Sequence, residues 1–239
     1  MDQHAKAEAF RRMHAEPPIL VLPNAWDVAS AKALAALDGC RALATSSAAV
    51  ARSLGFEDGE RAPGAVMVEA AGRIAQAVDV PVTGDLERGY GDPVGTARAA
   101  WDAGLVGINF EDSTRAGLVD VEEQAAAIRE IREAVPDLVI NARVDIFVRI
   151  GSGDVAEAAE RGNAYLAAGA DCIYPILAPV RSIDALVHHI KGPINVIAEP
   201  DTPSPAELEE LGVARVTWGS NLATAAYGEA VRIVKAALG

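Results

Sequence analysis

The chain has 239 residues, a formal charge of −13, 51% hydrophobic residues and two cysteines. The acidic balance argues against nucleic acid or an anionic membrane surface as partner. No segment reaches the ~20 apolar residues of a membrane span, and the polar opening MDQHAKAEAFRRMHAEPP does not read as a signal peptide.

The length suits one α/β domain spanning residues 1–239. Cys40 and Cys172 stand alone beside small or apolar residues and read as free thiols in a reducing cytoplasm. Residues 2–15 read as a helix ended by Pro17-Pro18, and residues 19–22 as a buried strand closed by Pro23-Asn24. Asp27 is placed to cap a helix over 28–37. A second strand over 42–44 runs into Thr45-Ser46-Ser47, and a polar loop, 55–60, leads to a helix over 65–78. The third strand, 81–85, is followed by a helix over 93–103 with Pro in its first turn. Strand four covers 106–112, and the next helix 121–134. Strand five covers 138–145, and the helix after it 155–168. Strands six (172–174), seven (194–197) and eight (214–217) alternate with short helices over 183–190 and 205–211. A last helix covers 222–237.

Strand followed by helix, repeated eight times without a linker, predicts a (β/α)8 TIM barrel. The strands are continuous apolar runs, as expected when both faces are covered. A doubly wound sheet is the alternative, but it favours a Gly-rich first turn. Gly151-Ser-Gly153 follows strand five, lacks a third glycine, and reads as a loop.

In a barrel the active site lies at the C-terminal strand ends, and there the polar residues gather. Thr45, Ser46 and Ser47 follow strand two, and Asp85 and Glu87 follow strand three. Glu111 and Asp112 end strand four, and Arg143 and Asp145 end strand five. Asp85 and Glu87, two apart on an extended strand, are expected on one face. Acids so placed repel, and a hard divalent cation with oxygen ligands relieves the repulsion. Asp85, Glu87, Glu111 and Asp58 can ring one Mg²⁺, some directly and some through water, with Mn²⁺ as an alternative; on the residues alone, Asp58, in a loop, reads more readily as a solvated turn acid. Arg143 can neutralise a carboxylate or an enolate oxygen. Thr45, Ser46 and Ser47 offer donors to an anion. These groups suit a 2-oxo acid and the enolate left when a bond at its next carbon breaks. Asp145 is expected as an ion-pair partner of Arg143 or Arg149. Asp112, alternating with Glu111, is expected to point outward, and Tyr174 to pack. None of the four histidines lies at a strand end, and no spacing suggests zinc.

Six segments carry a family resemblance: Pro23-Asn24-Ala25-Trp26-Asp27, Ala44-Thr45-Ser46-Ser47, Gly55-Phe56-Glu57-Asp58-Gly59-Glu60, the stretch 82–91 with Thr83-Gly84-Asp85-Leu86-Glu87-Arg88-Gly89, Gly107-Ile108-Asn109-Phe110-Glu111-Asp112, and Ile140-Asn141-Ala142-Arg143-Val144-Asp145. Together they resemble the isocitrate lyase/phosphoenolpyruvate mutase superfamily over most of the chain. The resemblance implies an (α/β)8 barrel whose eighth helix is swapped between subunits, in a homodimer or homotetramer. It implies Mg²⁺ at Asp85, with Asp58, Glu87 and Glu111 around its water shell. It implies that Ser46 and Ser47 hold the substrate carboxylate and that Arg143 is the substrate arginine. Trp26 and Asn195 complete the expected substrate-binding set, and Arg143, Asp58 and Glu111 the catalytic one.

The departures from the family pattern are local. The lyases carry a Lys-Lys-Cys-Gly-His gating loop after strand four, whereas residues 113–120 here are Ser-Thr-Arg-Ala-Gly-Leu-Val-Asp, with no Cys. The Asn-containing loop of the mutases is missing as well. Pro175 is followed by Ile176 where lyases place Glu, and Glu87 stands where Asp is commoner. The expected activity is Mg²⁺-dependent C–C cleavage of a small 2-oxo acid or its adduct. The alternatives are P–C chemistry on phosphonopyruvate and a non-catalytic 2-oxo acid-binding homologue.

Overall fold

The structure, a computed structural model, describes residues 1–150 and 154–239. Helix α1 (Gln3–Met13) is capped by Asp2, whose carboxylate accepts from the Ala5 N–H at 2.8 Å. The predicted first strand is two pieces, β1 (Leu20–Leu22) and β2 (Asn24–Ala25). Pro23 has no N–H to give a ladder and divides them. Helix α2 (Val28–Ala35) begins at Asp27, which forms a reciprocal capping box with Ser30. Strand β3 (Leu43–Thr45) leads directly into α3 (Ser47–Ser53), a helix the sequence reading missed. Then come α4 (Gly64–Gln76), β4 (Val82–Asp85), α5 (Pro93–Asp102) and β5 (Gly107–Phe110).

Residues 113–118 stand where the lyases carry their gating loop. They form an antiparallel pair, β6 (Ser113–Thr114) and β7 (Gly117–Leu118). Helix α6 (Val121–Ala134) has the predicted bounds, with Asp120 as cap and Glu122 and Glu123 in its first turn. Strand β8 (Val139–Val144) is followed by a short unpredicted helix, α7 (Ile146–Ile150). The loop assigned to Gly151-Ser-Gly153 lies outside the described residues. The chain continues through α8 (Val155–Ala167), β9 (Cys172–Pro175), α9 (Ile183–His189), β10 (Asn195–Ile197), α10 (Pro205–Glu210), β11 (Arg215–Thr217) and α11 (Asn221–Leu238). No helix among the described residues is long and apolar enough to cross a membrane.

The fold is α/β with parallel sheets. Six strands pair in the order β2-β3-β4-β5-β8-β9 and three in the order β1-β11-β10. A parallel bridge joins Ile173, in β9, to Ile194, the residue before β10. Helices cover the outer faces with short aliphatic side chains, such as Met67 and Ile74 of α4 and Ile128 and Ile131 of α6, all fully buried. Each such side chain contributes roughly 1.5–3 kcal/mol.

The inner faces are more polar than the apolar runs suggested. Asn141 Nδ2 donates to Asn109 Oδ1 at 2.8 Å, and Arg215 Nη2 reaches the same oxygen at 3.3 Å. Arg215 is wholly buried.

Helix α11 departs from the core. Tyr227, Val231, Val234 and Leu238 share one helical face, yet they are 40%, 66%, 54% and 82% exposed. Among the described residues only Tyr227 of that stripe meets another ring, that of Trp26.

Candidate active site

The site is built at the ends of β3, β4, β5 and β8. Strand β4 stops at Asp85, whose N–H donates to Thr45 Oγ1 at 2.9 Å. Ser46 caps α3, and its Oγ accepts from the Ala49 N–H at 3.4 Å. Capping turns the first residue of α3, Ser47, toward Asp85. Asp85 Oδ2 accepts from the Ser47 N–H at 2.9 Å and from Ser47 Oγ at 3.0 Å. The other oxygen, Asp85 Oδ1, is buried and has no hydrogen-bond partner among the described residues.

Glu87 does not continue the strand, which corrects the expectation of two acids on one strand face. Its backbone turns left-handed, with φ 51°, and it reaches the site from a turn. Its Oε2 accepts from the Glu60 N–H at 2.6 Å and its Oε1 from the Tyr90 hydroxyl at 3.1 Å. Glu60 Oε1 accepts in turn from the Tyr90 N–H at 2.6 Å. Glu60, Glu87 and Tyr90 all have positive φ. Non-glycine residues there cost on the order of 1–3 kcal/mol each, and such strain clusters at functional sites. Gly64 makes room for this arrangement, because a Cβ there would sit 2.8 Å from Tyr90 Cβ.

Arg143 organises the other half of the site. It pairs with Glu111 and clamps Asp145 with two bonds, Nε to Oδ1 at 2.6 Å and Nη2 to Oδ2 at 2.9 Å. Asp145 is the ion-pair partner the sequence suggested. Ser113 Oγ also donates to Asp145 Oδ2, at 2.5 Å, and Arg149 Nε donates to Ser113 Oγ at 3.2 Å. Asp112 does point away from Glu111, but into the protein rather than outward to solvent, and it is fully buried. Its Oδ1 accepts from the Asp145 N–H at 2.8 Å. Its Oδ2 accepts from the Tyr165 hydroxyl at 2.8 Å and Arg161 Nη1 at 3.2 Å. The outward expectation failed because α8 brings Arg161 and Tyr165 over that strand end.

The electrostatics are those of too many acids around one arginine. Burial, then Asp58 and Asp85, push the Glu87 carboxyl up to about 7. Burial and Asp85 push Asp58 up as well. Burial pushes Glu111 up against the opposing pull of Arg143, with Asp145, Asp85 and Glu87 adding to it. Burial alone would lower the Arg143 pKa, but Glu111 and Asp145 more than offset that and raise it. Arg143 is therefore a permanent cation. The carboxylate excess and the unpartnered Asp85 Oδ1 fit a hard divalent cation. Among the described residues, no three His, Cys, Asp or Glu side chains stand close enough to hold a metal ion by themselves. The donor set thus suits an ion held by Asp85 that keeps much of its water, as Mg²⁺ does.

The remaining expected residues fall in different places. Asp58 is in an exposed loop, within electrostatic reach of Asp85 and Arg143. Trp26 is half-buried, with its ring 6.1 Å from that of Tyr227 in α11. Asn195 is buried in β10, where its Oδ1 accepts from Thr217 Oγ1 at 3.2 Å. Beside the acids lies a cleft of about 350 Å³, lined by Glu87, Glu111, Ser113, Arg115 and Arg149 among others. Glu60, Tyr90 and Ser113 were given no role by the sequence reading, and Arg149 only that of a possible partner of Asp145. They lie outside the predicted strands, and only the folded chain brings them to the acids.

A parallel α/β fold with carboxylates and an arginine gathered at its strand ends is the arrangement of an enzyme active site. The family model for phosphoenolpyruvate phosphomutase matches residues 10–238, and the chain belongs to that family, within the isocitrate lyase/phosphoenolpyruvate mutase superfamily. It is 36% identical over 214 residues to an uncharacterised protein of Mycobacterium tuberculosis strain H37Rv, covering 89% of this chain and 82% of that one. It is 32% identical over 185 residues to 2-methylisocitrate lyase of Bacillus subtilis, covering 72% of this chain and 60% of the lyase. In structure it is similar to a Burkholderia cenocepacia protein provisionally assigned as a phosphonomutase. That match has 40% identity and a TM-score of 0.90, covering 96% of this chain and 99% of the other. The superfamily comprises lyases and mutases acting on 2-oxo acids and their adducts.

Proposed function

We propose that this enzyme is a Mg²⁺-dependent lyase that breaks a C–C bond beside the oxo group of a small 2-oxo acid or its aldol-type adduct. The observation that carries this reading is Asp85, with one oxygen fixed by Ser47 and the other buried and unpartnered, next to the Arg143 clamp. Asp85 would hold the ion through Oδ1, with Glu87, Glu111 and Asp58 reaching it through water. Bound there, Mg²⁺ (or Mn²⁺) supplies positive charge against the carboxylate and oxo oxygens of the substrate.

The chain's own groups do the rest. Thr45, Ser46 and Ser47 present the first turn of α3 to the substrate carboxylate. Trp26 and Asn195 complete the substrate set. Arg143, held in orientation by Asp145, neutralises the oxygen on which charge develops as an enolate forms. Glu111 and Asp58, both of whose pKa values are raised, by burial first, are the proposed proton carriers. Asp85→Ala should abolish turnover of 2-oxo acid adducts while the fold is retained. Undiminished turnover would end this reading. Scission of a P–C bond is the second reading, favoured by the similarity to the provisional phosphonomutase and by the absence of a Cys from residues 113–120.

The two sheets are read as arcs of one closed (β/α)8 barrel. The parallel pairings, the consecutive β1 and β2 and the Ile173–Ile194 bridge support this. The exposed stripe of α11 and an apolar groove of about 420 Å³ lined by Val21, Leu34, Leu37, Trp218 and Leu222 support exchange of α11 with a second copy. A stable monomer in sedimentation would refute the exchange.

A further inference from the structure

One cation in the protein interior has no anion beside it. Arg215, in β11, is wholly buried, and among the described residues no carboxylate pairs with it. Its Nη2 donates to Asn109 Oδ1 at 3.3 Å, while its Nε and Nη1 have no partner among the described residues. Buried charges are ordinarily paired, and an apolar side chain of similar volume would fill this space without the desolvation. Burial pushes the Arg215 pKa down, yet a guanidinium keeps its proton in a protein. The charge is therefore permanent.

Its place is beneath the carboxylate cluster. Register sets Arg215 between Leu20 of β1 and Asn195 of β10, in the three-stranded sheet. The guanidinium crosses to the six-stranded sheet, where Asn109 of β5 is the register partner of Asp85 on one side and of Asn141 on the other. Asn141 Nδ2 donates to the same Asn109 oxygen at 2.8 Å, and Arg143 follows Asn141 by two residues on the same face of β8. Arg215 is thus one hydrogen bond from the strand neighbour of Asp85, and its charge acts on both Asp85 and Tyr174. It does not line the cleft.

We propose that Arg215 is a positioning residue that acts on the site by charge, through Asp85 and without touching either ligand: it weakens the hold of the acids on a cation and strengthens the hold of the site on an anion. This rests on the reading of the site as one for Mg²⁺ and a 2-oxo acid. The bond to Asn109 fixes the charge under Asp85. One fixed charge acts in opposite senses on the two ligands, repelling the ion and attracting the substrate anion. A role in packing alone would move both affinities the same way.

The test is calorimetric titration of the full chain as wild type, Arg215→Met and Arg215→Lys, first with Mg²⁺ and then with oxalate at saturating Mg²⁺. Arg215→Met should bind Mg²⁺ roughly 5- to 30-fold more tightly than wild type, and oxalate more weakly by a similar factor. Arg215→Lys, which keeps the charge, should stay within about 3-fold of wild type for both ligands. Because Arg215 has no carboxylate partner to leave unpaired, Arg215→Met should also fold and melt no lower than wild type. The proposal is overturned if both affinities fall together in Arg215→Met, if neither moves, or if Arg215→Lys behaves as Arg215→Met does. An Arg215→Met chain that does not fold overturns it too, since Arg215 would then serve the fold alone. Wild type that binds neither ligand refutes the 2-oxo acid reading itself, whereas wild type that binds both, with unshifted affinities in Arg215→Met, refutes only the role of Arg215.

Discussion

Replacing Arg143 with Gln isolates the charge balance on which the site depends. In the folded chain Arg143 faces Glu111 and holds Asp145 through two bonds of 2.6 and 2.9 Å. Asp145 has no exposed surface, so its carboxylate cannot turn to bulk water, and Glu111, 9% exposed, opens only toward the cleft. Removing one partner of a buried pair costs about 3–5 kcal/mol, because the remaining charge is left uncompensated. For a chain of this length that corresponds to a fall of about 10 °C in the unfolding midpoint. Mg²⁺ should recover part of the loss. An ion present at 100 times its Kd stabilises by about 2.7 kcal/mol, and it binds the variant more tightly because one fewer cation opposes it. The assay is urea unfolding of wild type and Arg143→Gln, each with chelator and with Mg²⁺. A variant within about 1 kcal/mol of wild type in chelator would show that Glu111 and Asp145 do not rely on Arg143, and the reasoning would fail.

Two further outcomes follow from groups behind the site. His14 is 4% exposed, and burial first, then Arg215, lowers its pKa from 6.5 to about 4. The unfolded chain takes up this proton below pH 6.5 and the folded chain only below about 4, so the folded state loses stability as pH falls through that window. The loss is about 2.5 kcal/mol by pH 4.5. His14→Phe, which keeps a ring against Phe10, should remove that part of the acid slope in urea melts. Parallel pH profiles for the two proteins would contradict the assignment. Tyr165→Phe removes a 2.8 Å bond to the buried Asp112 carboxylate and should cost about 2 kcal/mol, with a change under ~0.5 kcal/mol counting against it.

The acids and the arginine were legible because strand ends can be found from apolar runs closed by polar residues. Helix α6 was read to the residue, since Asp120 and the two glutamates after it mark a helix start clearly. Helix α3 was missed because its start, Ser46-Ser47-Ala48-Ala49, reads equally well as the end of a strand. The turn at Glu87 was invisible because no residue preference places Glu at φ 51°. Contacts with Glu60 and Tyr90, distant in the chain or set by another turn, hold it there. Arg215 escaped notice within a strand read as apolar, since burial of a guanidinium beside Asn109 depends on strands far apart in sequence.

The central claim is that Asp85, Arg143 and their neighbours form a cation-dependent site for the enolate of a 2-oxo acid. Titrating oxalate, a planar mimic of pyruvate enolate, into the full chain by calorimetry tests it most directly, once with Mg²⁺ and once with chelator. Tight binding with Mg²⁺ that disappears in chelator is the predicted result. No binding under either condition would contradict the claim.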